Sequence, residues 1–318
     1  AMLTTFNEVD MTEIFTIRKE FKEQFKDKYG VEGDVHLMAW TTTPWTLPSN
    51  TALCVGPKIE YSLVHTFNQY TGDPIQVVVG TPLLKKQFNG KYTAVESLEE
   101  LIYKEGDKKI PYFVGKTFVG ADLVGIRYEQ LIAGPLPYQE AAQAFQVIKG
   151  DFVTTEDGTG IVHTAPTFGA DDAKVAADAG VPGLLVLNEL GNQVPLVDLQ
   201  GRFTSHMGEF AGKYVKNEYY DDGQAPDKSV DVEIAIKLKI ENRAFRVEKY
   251  VHSYPHCWRT DKPVLYYPLD SWFIRVAGAR ERMMELNDTI NWKPASTGAG
   301  RFGKWLENAN DWNLSRSR

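Results

Sequence analysis

Cysteine is nearly missing from this chain, with Cys54 and Cys257 the only two among 318 residues. Two thiols so far apart cannot make a disulfide framework or a C-x-x-C metal clip, so reduced thiols and a cytoplasmic setting are expected. No run of about 18 apolar residues occurs, which excludes a membrane-spanning helix. The opening Ala-Met-Leu-Thr-Thr-Phe-Asn-Glu lacks the basic-then-apolar order of a secretory signal. Positive charge is in deficit, with 35 Lys and Arg against 42 Asp and Glu and a formal net charge of −7. That balance excludes a broad basic face for gripping a long duplex, while a local basic groove for a single-stranded end stays compatible with it. A Walker loop, a G-x-G-x-x-G turn after a strand, a G-x-S-x-G elbow and an H-E-x-x-H helix are all absent.

What is present is an ordinary globular composition, 43% hydrophobic and 24% charged, long enough for one large or two smaller domains. Short β-rich runs dominate the first two thirds. Residues 34–40, 51–55, 61–67, 75–80 and 160–163 are separated by Gly, Pro and Asn turns and predict a sheet or barrel. Helices are predicted over 82–88, 97–104 and 171–179, the last ended by Gly180 in a left-handed cap. The fold class is therefore mixed α/β and β-rich. Residues 230–240, Val-Asp-Val-Glu-Ile-Ala-Ile-Lys-Leu-Lys-Ile, alternate with period two and read locally as a strand. The nearest thing to a linker is 219–229, and tryptophans and prolines cluster after Tyr250.

Three stretches carry chemistry. Residues 158–172, Gly-Thr-Gly-Ile-Val-His-Thr-Ala-Pro-Thr-Phe-Gly-Ala-Asp-Asp, set His163 at the end of a strand and Asp172 in the first turn of a helix, with a broken turn between. His163 taken alone reads more readily as a hydrogen-bonded structural histidine than as a catalyst, and acids at a helix start are favoured by the exposed amides and the dipole, so one of Asp171 and Asp172 serves as a cap and the other is available to a cation. Residues 40–50, Trp-Thr-Thr-Thr-Pro-Trp-Thr-Leu-Pro-Ser-Asn, put four threonines and an asparagine on a proline-restricted loop. This is either a β-branched strand end with its turn, or a set of neutral donors and acceptors suited to holding a polar ester and a water. His252, His256 and Cys257 invite a zinc reading, but the chain offers no second pair of soft ligands to complete four, so no metal is assigned.

Taken together, Thr41-Thr42-Thr43-Pro44-Trp45-Thr46-Leu47-Pro48-Ser49-Asn50, Gly158 to Asp172, and Tyr254-Pro255-His256-Cys257-Trp258-Arg259 resemble the editing domain (CP1) of isoleucyl-tRNA synthetases, class I enzymes. Gly120-Ala121-Asp122-Leu123-Val124-Gly125 resembles a further family segment between them. The resemblance runs from about Thr12 to Arg318. No HIGH-like or KMSKS-like adenylation signature is present, so the chain reads as an insertion without the aminoacylation site. Thr167-Phe168 and Thr260 depart from many bacterial members and resemble the branch that includes the eukaryotic cytosolic enzymes.

The resemblance implies a β-barrel editing domain with peripheral helices over 12–250, and a return segment over 251–318 leading toward an absent nucleotide-binding catalytic domain. It implies a helix at 230–240, against the local alternation. It implies hydrolysis of valine esterified to the isoleucine tRNA, at a pocket that admits valine and excludes isoleucine by size. A single pocket gains only about 1–3 kcal/mol from one methylene, a limit for which the isoleucyl enzymes are the known example. In this picture Asp172 binds the substrate ammonium, and Thr42 and Thr43 hold the terminal adenosine, the carbonyl oxygen and the attacking water. Thr41, Trp45, Thr46, Asn50 and Phe168 support or line the pocket, and His163 borders the side chain. Asp171 becomes the helix cap. Editing needs no cofactor, ATP and magnesium belonging to the synthetic domain. The expected partners are the tRNA 3′ CCA end and the rest of the synthetase, with no membrane and a monomeric chain. Two other readings remain open: a non-catalytic module for an aminoacylated or single-stranded RNA end, and a metal-dependent hydrolase using His252, His256 and Cys257.

Overall fold

The computed structural model describes residues 33–104, 106–251 and 253–315. The expectations for residues 12–32, for His252 and for 316–318 lie outside them. The chain divides into two compact units, Ala1–Tyr267 and Pro268–Arg318.

In the first unit the strands are β1 (Val35–Leu37), β2 (Ala52–Val55), β3 (Glu60–Phe67), β4 (Pro74–Gly80), β5 (Tyr92–Ala94), β6 (Ile110–Val119), β7 (Gln146–Lys149), β8 (Ile161–Thr164), β9 (Val186–Leu187) and β10 (Gln193–Val194). The helices are α1 (Leu84–Gln87), α2 (Gly120–Leu123), α3 (Ala170–Asp178) and α4 (Val230–Ile240). A five-stranded sheet runs β1-β4-β3-β6-β5 and a three-stranded sheet β7-β2-β8. Period-two alternation sends Tyr61, Leu63, Val78 and Phe118 of the first sheet and Leu53, Val55, Val147 and Ile161 of the second into one buried cluster. The opposite face of the larger sheet buries Val64, Val77, Val79, Phe88 and Tyr92.

The two sheets meet at both edges. On one side Gly80 N–H donates to Thr159 O at 2.8 Å and Trp40 N–H to Ile161 O at 3.2 Å. On the other, the chain leaving β6 through α2 bridges to β7, with Gly125 N–H on Val147 O and Tyr128 N–H on Phe145 O. The expected barrel thus takes the form of two sheets bridged at their edges around a shared core. Where β6 turns into α2, a Cβ on Gly120 would lie 2.0 Å from the Gly56 carbonyl oxygen, so only glycine fits.

The five expected strands are present as β1, β2, β3, β4 and β8. The other five strands of this unit, β5, β6, β7, β9 and β10, were not anticipated. β6 contains Pro111 and Gly115, which read as breakers, yet pairs with β3 through a register shift between Ser62 and Val64. β7 has Gln146 and Lys149 at its ends, so only Val147 and Ile148 mark it as apolar. The helix expected over 97–104 reduces to the single 3-10 turn Leu98–Glu100; its leucines and acids pack against no core, so nothing rewards a longer helix.

Residues 230–240 form helix α4, not a strand. Val230, Ile234 and Leu238, four apart, fall on one helical face and are buried, while Val232 and Ile240 are exposed. Asp231 and Glu233 in the first turn and Lys237 and Lys239 in the last suit the helix dipole. The buried face packs into a cluster with Trp45, Leu47, Phe203, Met207 and Phe210.

The second unit contains α5 (Arg280–Asp288), α6 (Gly303–Glu307) and the antiparallel ribbon of β11 (Phe273–Ile274) and β12 (Trp312–Asn313). Trp292 packs on Phe302 and donates from Nε1 to Asn287 Oδ1 at 3.0 Å.

Candidate functional site

The threonine loop is held from behind. Pro44 and Pro48 fix backbone angles within a 3-10 turn over Pro44–Ser49, whose first amides have no partner inside the turn. One of them, Trp45 N–H, donates to Asp231 Oδ1 at 2.7 Å, and Lys216 Nζ lies 3.5 Å from Asp231 Oδ2. Burial pushes the Asp231 carboxyl above the usual carboxylate range, against the opposing pull of Lys216. Trp45 and Phe168, ring centroids 5.0 Å apart, are both buried in the same apolar cluster. They back the loop as core residues.

The other half of the site comes from β8. Its entry turn uses Gly158 and Gly160 at φ +70° and +77°, in the left-handed region glycine tolerates best. β8 pairs with β2 so that Leu53 faces His163 and Ala52 faces Thr164. His163 and Ile161 share the face toward the common core, while Val162 and Thr164 share the face covered by α3.

His163 is buried and both ring nitrogens are occupied. Asn50 Nδ2 lies 2.8 Å from Nδ1, and Thr46 Oγ1 lies 3.0 Å from Nε2. Asn50 Nδ2 also lies within reach of Ala52 O at 2.8 Å and Thr164 O at 3.2 Å, both of which can only accept, and this identifies that end of the amide as nitrogen. An amide nitrogen can only donate, so Nδ1 is the bare acceptor and the ring proton sits on Nε2, directed at Thr46. Thr46 in turn donates to Thr43 O at 2.8 Å. Burial lowers the His163 pKa from 6.5 to about 4, so the ring is neutral at pH 7. Both ring nitrogens are thus spent within the protein.

Asn50 is equally committed, since its Oδ1 accepts from Tyr128 Oη at 2.6 Å. Thr41, Thr42 and Thr43 are half-buried. Thr41 Oγ1 accepts from Thr43 N–H at 3.1 Å, and the Thr41 and Thr43 hydroxyls stand 3.4 Å apart. Thr43 Oγ1 lies 3.3 Å from Thr46 Oγ1. The Thr42 hydroxyl makes no hydrogen bond among the described residues and is the freest group on the loop.

Asp172 Oδ2 accepts from Ala165 N–H at 2.8 Å, just beyond the end of β8. Among the described residues no hydrogen bond joins it to His163 or to the threonines, and none reaches its Oδ1. Burial raises its carboxyl, with the neighbouring Asp171 adding to the effect. Asp171 is not the cap of α3. The helix begins at Ala170 with Gly169 in the capping position, and no side chain caps it. Asp172 takes up an amide outside the helix instead, because the chain folds back sharply through Ala165 to Gly169.

The remaining ligand candidates stay apart. His256 Nδ1 is paired with Tyr254 O at 2.8 Å, and no group of three or more His, Cys, Asp or Glu among the described residues is placed to hold a metal. No helix there is long and apolar enough to cross a membrane. A concavity of about 200 Å³ includes Pro48, Ile132, Met207, Phe210 and Lys237. Its lysine is already paired with Glu209 and Glu241.

Sequence reasoning missed Tyr128 and Asp231. Asp231 was visible as a first-turn acid once 230–240 is read as a helix. Nothing local marks Tyr128, which arrives from the segment between β6 and β7.

The model of the tRNA synthetases class I (I, L, M and V) family matches residues 10–318. The isoleucine–tRNA ligase of Cytophaga hutchinsonii is 58% identical over 310 residues, which is 94% of this chain and 27% of that protein. The Bacteroides fragilis enzyme is 55% identical over 320 residues, 95% of this chain and 28% of that protein. The Treponema denticola enzyme is 40% identical over 92% of this chain. Among solved structures, GlLeuRS-CP1 aligns over 78% of this chain and 96% of its own with a TM-score of 0.43 and 16% identity. The chain thus spans about a quarter of the length of the curated relatives it matches. It belongs to the class I tRNA synthetases of the isoleucine, leucine, methionine and valine group, as a segment similar to part of isoleucine–tRNA ligases.

Proposed function

We propose that this chain is the editing module of an isoleucine–tRNA ligase and hydrolyses valine wrongly esterified to the isoleucine tRNA, rejecting isoleucine by size. It acts in the cytoplasm as part of one ligase chain. Asp172 carries the proposal: a partly desolvated carboxylate with one oxygen fixed by Ala165 N–H and the other without a partner among the described residues, eight residues past the strand that bears His163. An α-ammonium group is the natural complement of that free oxygen. Thr41, Thr42 and Thr43 supply hydroxyls to orient the ester and a water, and neutral His163 limits the side chain. Water oxygen adds to the ester carbonyl carbon, the bond to the ribose oxygen breaks, and that oxygen leaves as a hydroxyl after taking a proton. Positioning accounts for the acceleration, because the ammonium occupies the Asp172 carboxylate and both His163 nitrogens are committed. The free ribose hydroxyl of the terminal adenosine assists the water. The chain itself requires no metal or cofactor for this step.

The commitment of both His163 nitrogens also suits a second reading, a module that binds an aminoacylated RNA end without cleaving it. The ligase carrying this chain, incubated with valyl-tRNA(Ile), separates the two. Loss of the valyl group, abolished by Asp172→Ala, supports hydrolysis. Retention of intact valyl-tRNA by the wild-type protein leaves only binding, and full activity of Asp172→Ala removes the ammonium anchor.

A further inference from the structure

Asn50 Nδ2 has two hydrogens and three acceptors within reach: Ala52 O and His163 Nδ1 at 2.8 Å, and Thr164 O at 3.2 Å. Rotation of the amide decides which acceptors are served. Turned one way, both hydrogens go to the backbone carbonyls and His163 Nδ1 is left bare. Turned the other, one hydrogen stays on the ring. The opposite end of the amide settles the choice, because Oδ1 accepts from Tyr128 Oη at 2.6 Å. The Tyr128 ring is anchored in its turn: its backbone N–H donates to Phe145 O at 2.9 Å and the ring meets Phe145 edge-on at 6.2 Å. Phe145 N–H donates to Thr51 O at 2.7 Å, next to Asn50 itself.

We infer that Tyr128 is a positioning residue for this site: its hydroxyl sets the rotation of the Asn50 amide, which keeps the His163 proton on Nε2 and so ties Thr46 and Thr43 into one shape. Burial raises the phenol well above its ordinary value, so it remains a donor at every working pH. Three segments far apart in sequence meet in this chain of bonds: the Thr43–Asn50 loop, Tyr128 and His163. The inference rests on the proposed editing reading only for its consequence in catalysis. The hydrogen-bond lock stands or falls separately.

The test is Tyr128→Phe, which removes one oxygen and keeps the ring, with Phe145→Leu as a control that touches the ring and spares the hydroxyl. Nitrogen NMR of the His163 ring in the full chain is expected to show one bare Nδ1 and one protonated Nε2 in the wild type and in Phe145→Leu. Tyr128→Phe is expected to show the two nitrogens averaged toward each other. A purely structural role would lower Tm in both variants and leave the ring pattern alone. In the ligase, Tyr128→Phe is expected to lower the valyl-tRNA over isoleucyl-tRNA hydrolysis ratio by about tenfold, the worth of one oriented hydrogen bond. An unchanged single tautomer in Tyr128→Phe overturns the lock whatever the hydrolysis assay shows. Averaged nitrogens in a ligase that does not cleave valyl-tRNA support the lock and overturn the editing reading instead.

Discussion

The backbone N–H of Trp45 and the carboxylate of Asp231, 186 positions apart in sequence, are joined by a 2.7 Å hydrogen bond. It couples the start of helix α4 to the turn that carries the threonines, and Lys216 closes the arrangement from the other carboxylate oxygen. Asp231→Ala leaves a buried amide without an acceptor and is expected to lower unfolding stability by about 1–3 kcal/mol. Asp231→Asn keeps an oxygen for Trp45 N–H and should retain most of that stability. Urea titrations of the two variants check the order. Equal midpoints would show that Asp231 does not hold the turn.

His163 gives the site a definite pH signature. Its folded pKa of about 4 lies below the ordinary 6.5, so the unfolded chain binds its proton first as pH falls. Stability from this group is complete above 6.5 and declines from there down to about 4, by about 3 kcal/mol in all. In His163→Gln that share of the acid sensitivity disappears, which unfolding measurements at pH 7 and pH 4.5 will show as a narrowing gap between the two proteins. Valyl-tRNA hydrolysis should show no inflection near 6.5, since the ring is already neutral and both nitrogens are committed. An inflection that His163→Gln removes would make it an acid or base after all. His163→Ala enlarges the pocket and should allow cleavage of isoleucyl-tRNA.

The strand run Tyr61 to Phe67 and the helix after Gly169 were legible because their apolar spacing and turn residues agree with their surroundings. The sequence of α4 was not legible locally. Its perfect alternation satisfies a strand, and only the apolar cluster around Trp45 and Phe203 makes a four-residue spacing the profitable one. At the site, residue types identified His163, Asp172 and the threonines as belonging to one region. They did not divide those residues into buried scaffolding, such as Trp45, Thr46, Asn50 and Phe168, and half-exposed groups, such as Thr42 and Asp172. That division depends on strand pairing, which puts His163 opposite Leu53, and on a tyrosine from a distant segment.

Thr42 and Thr46 should separate on the same ground. The Thr46 hydroxyl bridges His163 and the Thr43 carbonyl, so Thr46→Val breaks one buried and one half-buried hydrogen bond and is expected to cost about 1–3 kcal/mol of stability. The Thr42 hydroxyl bonds to nothing in the described chain, and Thr42→Val should leave Tm unchanged while slowing valyl-tRNA hydrolysis. Thermal scans beside the deacylation assay distinguish the two. A Thr42→Val ligase with full activity would take Thr42 out of the site.

Asp172 should set activity against stability. Burial and the nearby Asp171 raise its folded pKa above the ordinary 3.8, so the native state holds the proton more tightly than the unfolded chain. Through the window from 3.8 up to the raised value, stability falls as pH rises, and at pH 7 the ionised carboxylate sits partly desolvated at a net cost. Asp172→Asn keeps an acceptor for Ala165 N–H and removes the charge. It is therefore expected to gain stability relative to wild type between pH 3.5 and pH 7 while losing the ability to hold an ammonium group. Calorimetric Tm at the two pH values reads the first effect, and the rate of valyl-tRNA hydrolysis reads the second. A stability difference that does not change with pH would mean that the raised carboxyl is not the source of the cost. A variant with wild-type hydrolysis would mean that the charge, however expensive to keep there, is not what the substrate meets.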